Sequence, residues 1–301
     1  MNTEYPPQVR ERTIAKARTL LDALPFMREH HGKVIVVKYG GAAMDRAGLA
    51  SSFAEDVALL QSAGITPVIV HGGGPQVTQV SAQMGIETTF VDGIRVTDAA
   101  TLDVATMVLA GKLNTDVVAS LVSGGVPAVG LSGVDGGLLL ARRQVAPDLG
   151  FVGEGVHVNA AVLETLTQRR FVPVVASIAV DETGQAYNVN ADVVASELAV
   201  ALGAEKLVFI NDVPGLIGPA GDLLSELSAT QCGALLGQPG VVDGGMIPKL
   251  ESAVRALASG VRRVHLVDGR VEHSLVLELF TPEGVGTMIT PDGDGSGASA
   301  A

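Results

Sequence analysis

Short apolar runs rich in β-branched residues alternate along this chain with helical stretches, and that alternation restricts the fold more than any other feature. The runs are VIVV at 34–37, PVIV at 67–70, PAVG at 127–130, VPVVA at 172–176, KLVFI at 206–210 and RVHLV at 263–267. They lack the polar residue at every second position that a strand with one solvated face would show, so they are strands buried on both faces. Helical patterns fill the intervals at about 50–63, 75–84, 99–123, 159–168, 191–202 and 246–259. The alternation predicts an α/β fold, a three-layer αβα sandwich with an open, mainly parallel sheet. Residues 137–158 and 179–190 read as hairpins and loops. A lobe boundary falls near 180–205 with no flexible linker, so two lobes share one sheet.

Before the first strand, Ile14, Ala17, Leu20, Leu21 and Leu24 recur at helical spacing, and Pro25 is expected to kink this helix. Because the helix stands outside the α/β alternation, two readings are open: it packs on its own domain, or it is an arm that docks on another subunit. The tail PDGDGSGASAA at 291–301 is too small and polar to bury anything and is expected to be disordered.

Several function classes are disfavoured. The formal net charge of −12 repels phosphate backbones, so nucleic acid is not an expected partner, and any anionic substrate must be held by local Lys, Arg and backbone N–H groups. The single Cys232 excludes an internal disulfide and a cysteine-based zinc site. Neither HxxxH nor HExxH spacing occurs, so no metal site is expected. No uninterrupted apolar run nears the ~20 residues of a bilayer span, and the opening MNTEYPPQVRER lacks a secretory signal's apolar region. A cytoplasmic location without membrane contact is expected.

Four Gly-rich segments are expected to follow strands: KYGG (38–41), HGGGP (71–75), GLSGVDGG (130–137) and DGGMIPK (243–249). In a parallel sheet such loops line the carboxyl edge of the strands, where anions meet exposed N–H groups. None is a GxGxxG fingerprint or a GxxxxGK[ST] loop, and no GxSxG elbow occurs. Lys38 directly follows a buried run; it is either a snorkelling surface lysine or an ammonium held over Gly40 and Gly41 for a transferring phosphoryl group. Arg95, in DGIRVTD, either pairs with Asp92 or Asp98 or presents its planar fork to a carboxylate. Asn188, Asn190 and Asp192 stand at alternate positions where an extended segment becomes a helix; one of them caps it, or all three form a polar wall. INDVPGL (210–216) either holds a ribose or merely ends its strand.

In chain order, VVKYGGAAM (36–44), VIVHGGGPQV (68–77), GIRVTD (93–98), GKLN (111–114), GLSGVDGG (130–137), NVNADVVA (188–195), NDVPGL (211–216) and GGMIPK (244–249) resemble the amino acid kinase family, and within it the members that act on N-acetyl-L-glutamate. The resemblance covers about 20–290. It implies the amino acid kinase fold, with the acyl amino acid bound in an N-terminal lobe at 33–190 and ATP, with Mg²⁺, in a C-terminal lobe at 191–290. Lys38 and Lys249 would stabilise the transferring phosphoryl group and Asp192 would orient them. Gly73, Gly74, Arg95 and Asn188 would bind N-acetyl-L-glutamate. Gly40, Gly41 and Gly72 would supply N–H groups near the phosphates, while Asp212, Val213, Pro214, Gly215 and Leu216 with Asp243, Gly244 and Gly245 would frame the nucleotide.

The N-terminal segment 1–32 and the ending EHSLVLELFTPEGVGTMI (272–289) further resemble the arginine-inhibited hexameric members, trimers of dimers in which the extra helix interlaces dimers and L-arginine binds between it and the C-terminal lobe. The matching positions are Phe26, Glu278, Thr281 and Gly284. Those members commonly have Tyr where this chain has Phe26, so one hydroxyl contact is lost. The sequence leaves open whether a nitrogen-signalling protein docks on the surface. Competing readings are a kinase of the same fold for aspartate, glutamate, carbamate or UMP, a catalytically silent arginine sensor, and a Rossmann dehydrogenase.

Overall fold

The computed structural model describes residues 7–40, 44, 47–218, 220–238, 242 and 244–293. Helix α1 (Pro7–His30) is followed by β1 (Val34–Tyr39), α2 (Ala47–Ser62), β2 (Thr66–His71) and α3 (Gly74–Gln83). The hairpin β3 (Phe90–Val91) and β4 (Ile94–Arg95) leads into α4 (Ala99–Thr106), a π-helical segment (Met107–Leu113) and α5 (Asn114–Ser123). Next come β5 (Ala128–Ser132), β6 (Leu139–Val145), β7 (Asp148–Val158), α6 (Ala161–Gln168), β8 (Val172–Ala176), β9 (Ile178–Val180), β10 (Ala186–Asn188) and α7 (Ala191–Ala201). The chain closes with β11 (Lys206–Asn211), β12 (Glu226–Ser228), α8 (Ala229–Leu236), α9 (Met246–Ala258), β13 (Arg263–Asp268), α10 (Ser274–Phe280) and β14 (Thr287–Thr290).

Eight strands form one sheet in the order β12-β14-β13-β11-β1-β2-β8-β5. The six from β13 to β5 are mutually parallel and contain the six apolar runs of the sequence. Strand β14 runs antiparallel to β13 and parallel to β12. These two short strands escaped the sequence reading because three or four residues are too few to set a pattern. The predicted hairpins are present as β6–β7 and β9–β10, which close on each other as a small barrel.

Alternate residues of each central strand feed opposite faces. Val36, Val68, Val70, Leu207, Phe209, Val264 and Leu266 pack with Val194, Leu198, Leu250 and Ala253 of α7 and α9. Ile35, Val37, Ile69, Val208 and Ile210 pack on the other side with Phe53, Val57, Leu60, Val117 and Leu121 of α2 and α5, and with Leu275 and Leu279 of α10. Burying a residue of this kind contributes about 1.5–3 kcal/mol, so the sheet is held from both sides. Helix α1 runs through Pro25 to His30, and Ala23, Phe26 and Met27 pack on the second face and hold the helix across the proline.

The helical stretch Ala99–Ser123 reaches 25 residues and is apolar enough to suit a bilayer span, which the reading of uninterrupted runs did not register. In the fold its buried residues Val104, Val108 and Leu109 pack with Val77 of α3 and with Ile178. The predicted tail falls outside the described residues from 294 onward; at its start, Asp292 accepts hydrogen bonds from Thr230 N at 3.0 Å and Oγ1 at 2.7 Å.

Strand β1 lies between β2 on one side and β11 on the other. Loops leaving their carboxyl ends diverge there and open the crevice that parallel sheets use for ligands.

Candidate active site

Lys38 stands one residue before the end of β1, in register with Phe209 of β11 and Val70 of β2. Its ammonium lies 2.9 Å from Oδ1 of Asp192, and that of Lys249 lies 2.8 Å from Oδ2. Asp192 comes from the first turn of α7 and Lys249 from the first turn of α9, two helices tied together where Ser196 Oγ donates to Ser252 O at 3.2 Å. The cap of α7 is Asn190, whose side chain accepts from Asp192 N at 2.7 Å. Asp192 is thereby left free for the lysines. Burial opposes ionisation of Asp192, but the charges of Lys38 and Lys249 prevail and hold its pKa below the ordinary carboxylate value. Lys249 is pushed down by burial and by Lys38, with Asp192 opposing, and its ammonium sits 5.2 Å from the centroid of the Phe209 ring.

These three residues line one cavity of about 450 Å³, together with Gly40, Pro75, Asn211, Asp212, Val213 and Gly245. Gly40 has a steric reason to be glycine: a Cβ there would stand 2.5 Å from Ile210 O, so the end of β1 could not approach β11. The N-termini of α3 and α9, marked by Pro75 and Gly245, both reach this cavity and bring the positive ends of their dipoles.

Arg95 is buried, with 7% exposure. It pairs with neither Asp92 nor Asp98; Asp98 caps α4 by accepting from Thr101 N at 2.8 Å. The Nη2 of Arg95 donates to Gly74 O and to Thr78 Oγ1, both at 2.8 Å, and its guanidinium lies 4.8 Å from the centroid of the Phe90 ring. Its other terminal nitrogen, Nη1, is buried with no partner, and burial alone pushes the group's pKa down. A buried cation with an unused donor calls for an anionic ligand. Asn188 joins the same wall: its Nδ2 donates to Thr97 Oγ1 at 3.3 Å, and Thr97 Oγ1 donates to Arg95 O at 3.2 Å.

The sequence pattern of the amino acid kinase family matches residues 33–268. The chain belongs to that family. Acetylglutamate kinase of Symbiobacterium thermophilum is 49% identical over 290 residues, which cover 93% of this chain and 99% of that protein. Among solved structures, N-acetylglutamate synthase from Neisseria gonorrhoeae complexed with coenzyme A and N-acetyl-glutamate superposes with a TM-score of 0.82 at 28% identity, covering 91% of this chain and 63% of that one. The same synthase complexed with coenzyme A and L-arginine gives a TM-score of 0.79 at 26% identity, covering 91% of this chain and 65% of that one. The chain thus spans just under two thirds of the synthase.

For this amino acid kinase family member, the structure gathers most of the site residues expected from sequence. Lys38, Lys249, Asp192, Gly40, Asp212, Val213 and Gly245 share the cavity, and Gly74, Arg95 and Asn188 form the adjoining wall. Gly72 and Gly73 join β2 to α3, Gly73 as the N-cap of that helix. Pro214 is exposed. Gly215 and Leu216 are turned to β14 instead: Leu216 N donates to Thr287 Oγ1 at 2.9 Å, and a Cβ on Gly215, at φ +145°, would stand 2.6 Å from that same oxygen. The segment DGGMIPK follows helix α8 rather than a strand, and Gly244 takes φ +56° in the turn before α9, whereas Gly41 and Asp243 lie outside the described residues. The single polar wall expected of 188, 190 and 192 does not form, because the chain turns helical at 191 and sends the three side chains to different partners.

A second cavity, of about 290 Å³, is lined by Phe26, Glu278, Thr281 and Gly284. Glu278 Oε1 lies 2.6 Å from His265 Nδ1, and its Oε2 accepts from Val285 N at 2.8 Å and Gly286 N at 3.0 Å. Burial opposes ionisation of Glu278, but the His265 contact and these N–H groups prevail and lower its pKa. Lys206 and His265, also lining this cavity, were not singled out from sequence. The available signal was a charged or titratable residue inside the runs KLVFI and RVHLV, which are otherwise buried on both faces.

Proposed function

We propose that the cavity between β1, α7 and α9 transfers the γ-phosphoryl group of ATP to the side-chain carboxylate of N-acetyl-L-glutamate. The products are N-acetyl-L-glutamyl 5-phosphate and ADP, and the reaction is the second step of arginine synthesis. The observation that carries this reading is the pair of ammonium groups, 2.9 and 2.8 Å from one carboxylate, at the carboxyl edge of the sheet. A carboxylate with an unperturbed pKa of about 4.3 is already ionised at neutral pH, so the reaction needs no general base. What it needs is positive charge between two anions and an aligned approach. Lys38 and Lys249 supply the charge, Asp192 fixes where both ammonium groups sit, and Arg95 with its unused Nη1 takes the acceptor's other carboxylate. Acetylation of the amine keeps the acyl phosphate from cyclising. Mg²⁺ would enter with the ATP phosphates and offset part of their charge as the carboxylate approaches.

A second reading concerns regulation. Phe26, Glu278, Thr281 and Gly284 line one cavity with Glu29, Glu226 and Glu283, an acidic lining suited to a cationic effector, and the related synthase of known structure is complexed with L-arginine. L-arginine as feedback inhibitor at this cavity follows. Helix α1 exposes Ile14, Leu20 and Leu21, which supports its use as an arm between subunits in a hexamer built as a trimer of dimers, in the cytoplasm. A silent sensor would have no use for two lysines converging on Asp192.

The test is ADP release from MgATP with N-acetyl-L-glutamate, glutamate or aspartate, each with and without millimolar L-arginine. Turnover of the acetylated substrate alone, suppressed by arginine, is expected. Turnover indifferent to arginine removes the regulatory reading, and a folded protein inert with all three substrates removes the kinase reading.

A further inference from the structure

Three sequence motifs, HGGGP, GKLN and GLSG, meet at a point that phosphoryl transfer does not directly use. His71, the last residue of β2, is 0% exposed. Its Nε2 lies 3.0 Å from Nδ2 of Asn114, and that nitrogen also donates to Val174 O at 2.9 Å. The orientation of the Asn114 amide follows from chemistry: reversed, its oxygen would face a carbonyl, two acceptors with no proton between them. Of the three acceptors within reach of Nδ2, Leu131 O is the farthest at 3.4 Å; its two hydrogens go to the nearer Val174 O and His71 Nε2, and since an N–H on Nε2 would face the amide N–H₂, Nε2 is the bare nitrogen of the ring. The ring proton is on Nδ1, which donates to Gly72 O at 2.9 Å. Burial pushes the ring's pKa down and keeps it neutral.

This arrangement sets a peptide plane. In a trans peptide the C=O and N–H point in opposite directions, so turning the Gly72 carbonyl onto the ring sends the Gly73 N–H away from it. That N–H finds no acceptor among the described residues. The loop is also pressed from behind, since a Cβ on Gly73 would stand 2.2 Å from Leu113 Cδ1 and 2.8 Å from Leu109 Cδ2. Those two leucines belong to the π-helical segment that delivers Asn114, and such segments recur at functional sites. Gly130 leaves the space Asn114 occupies, as a Cβ there would stand 1.9 Å from its Oδ1.

We propose that His71, held by Asn114 as the neutral Nδ1–H form, is a positioning residue that aims the Gly73 N–H at the oxygens of the reacting carboxylate and phosphoryl group. It acts through the loop and touches neither substrate. The proposal rests on the phosphoryl-transfer reading above.

Two variants separate the two ring nitrogens. The amide of His71→Asn places a donor near the position of Nδ1, whereas that of His71→Gln reaches toward Nε2 and leaves Gly72 O without its donor. With MgATP and N-acetyl-L-glutamate, His71→Gln is expected to lower kcat roughly 10- to 100-fold, the scale of a misplaced reacting group. Both KM values should stay within about threefold, and His71→Asn should regain most of the rate. Equal losses in the two variants, or a loss confined to KM, overturn the proposal. Nitrogen-15 NMR of the wild-type ring is independent of whether either variant folds. It should show Nδ1–H and unprotonated Nε2 at neutral pH and above. A ring protonated on Nε2 in an active enzyme overturns the aiming role alone, and a wild type inert toward N-acetyl-L-glutamate overturns the acceptor reading and the aiming role with it.

Discussion

Two of the buried ionic clusters among the described residues are built in opposite senses. At the sheet's carboxyl edge two lysines share one carboxylate, Asp192, whose oxygens lie 2.9 and 2.8 Å from Lys38 and Lys249. At the other cavity a single carboxylate, Glu278, is met by a histidine ring and two backbone N–H groups. The nearest lysine, Lys206, lies 3.2 Å from the far side of that ring. Burial lowers the pKa of His265 against the pull of Glu278, so the ring contributes no charge. In the first cavity two lysines stand against two carboxylates, Asp192 and Asp212, whereas in the second the four carboxylates of Glu29, Glu226, Glu278 and Glu283 face only Lys206 and Arg263. Charge ratio, rather than depth of burial, separates a site suited to a polyanion from one suited to a cation.

The largest effect that would break this contrast is at Lys249. Lys249→Met removes one of two charges flanking the transfer line while keeping the length of the side chain. It is expected to lower kcat by about 10²- to 10³-fold, the loss seen when one donor to a developing anion is deleted. Steady-state kinetics with MgATP and N-acetyl-L-glutamate check it; a loss confined to KM would mean that the lysine binds ground and transition states alike. Next in size is Arg95→Lys. An ammonium cannot reproduce the fork that holds Gly74 O and Thr78 Oγ1 and still leaves Nη1 free. The KM for N-acetyl-L-glutamate should rise roughly 10- to 100-fold with the KM for ATP little changed; equal rises in both would detach Arg95 from the acceptor.

The acidic cavity is sharpened by Glu278→Gln, which keeps shape and one acceptor oxygen but removes the charge. The arginine concentration giving half inhibition should increase about 10-fold or more, read from inhibition curves at fixed substrate. An unchanged curve would mean that Glu278 serves only to hold the loop at Val285 and Gly286.

Of this contrast, the sequence made one half far easier to see than the other. The six parallel strands were legible because each is a β-branched run buried on both faces, and Lys38 and Lys249 were legible because a lysine beside paired glycines breaks the local pattern. Asn188, Asn190 and Asp192 were visible as a group, but spacing alone could not divide them. The division appears only once Asn190 caps α7 and the chain stops alternating. Lys206 and His265 sit inside strands that otherwise read as pure core, and their partner Glu278 is contributed by α10, which carries no strong pattern in seven residues. The His71–Asn114 pair spans 43 residues of sequence, so each side chain alone looked like motif decoration. Local periodicity reports what a residue's own element buries and is silent about contacts made across elements.

The smallest predicted effect is a pH dependence, and it probes the second cluster directly. Lys206 is lowered to about 8 by burial and by the Arg263 charge, against the pull of Glu29, Glu278 and Glu205. Its unfolded value is near 10.5, so between about pH 8 and 10 the unfolded chain holds this proton more often than the native state does. Native stability contributed by this group therefore rises with pH through that window and is depressed below it. Relative to Lys206→Met, which has nothing to titrate there, the wild-type Tm should gain about 2–4 °C from pH 7.5 to 10, read by differential scanning calorimetry of the two proteins in matched buffers. A Tm difference flat across that range would mean that Lys206 keeps its proton in the folded state. The charge count of the second cavity, with Lys206 among its cations, would then hold unchanged up to about pH 10.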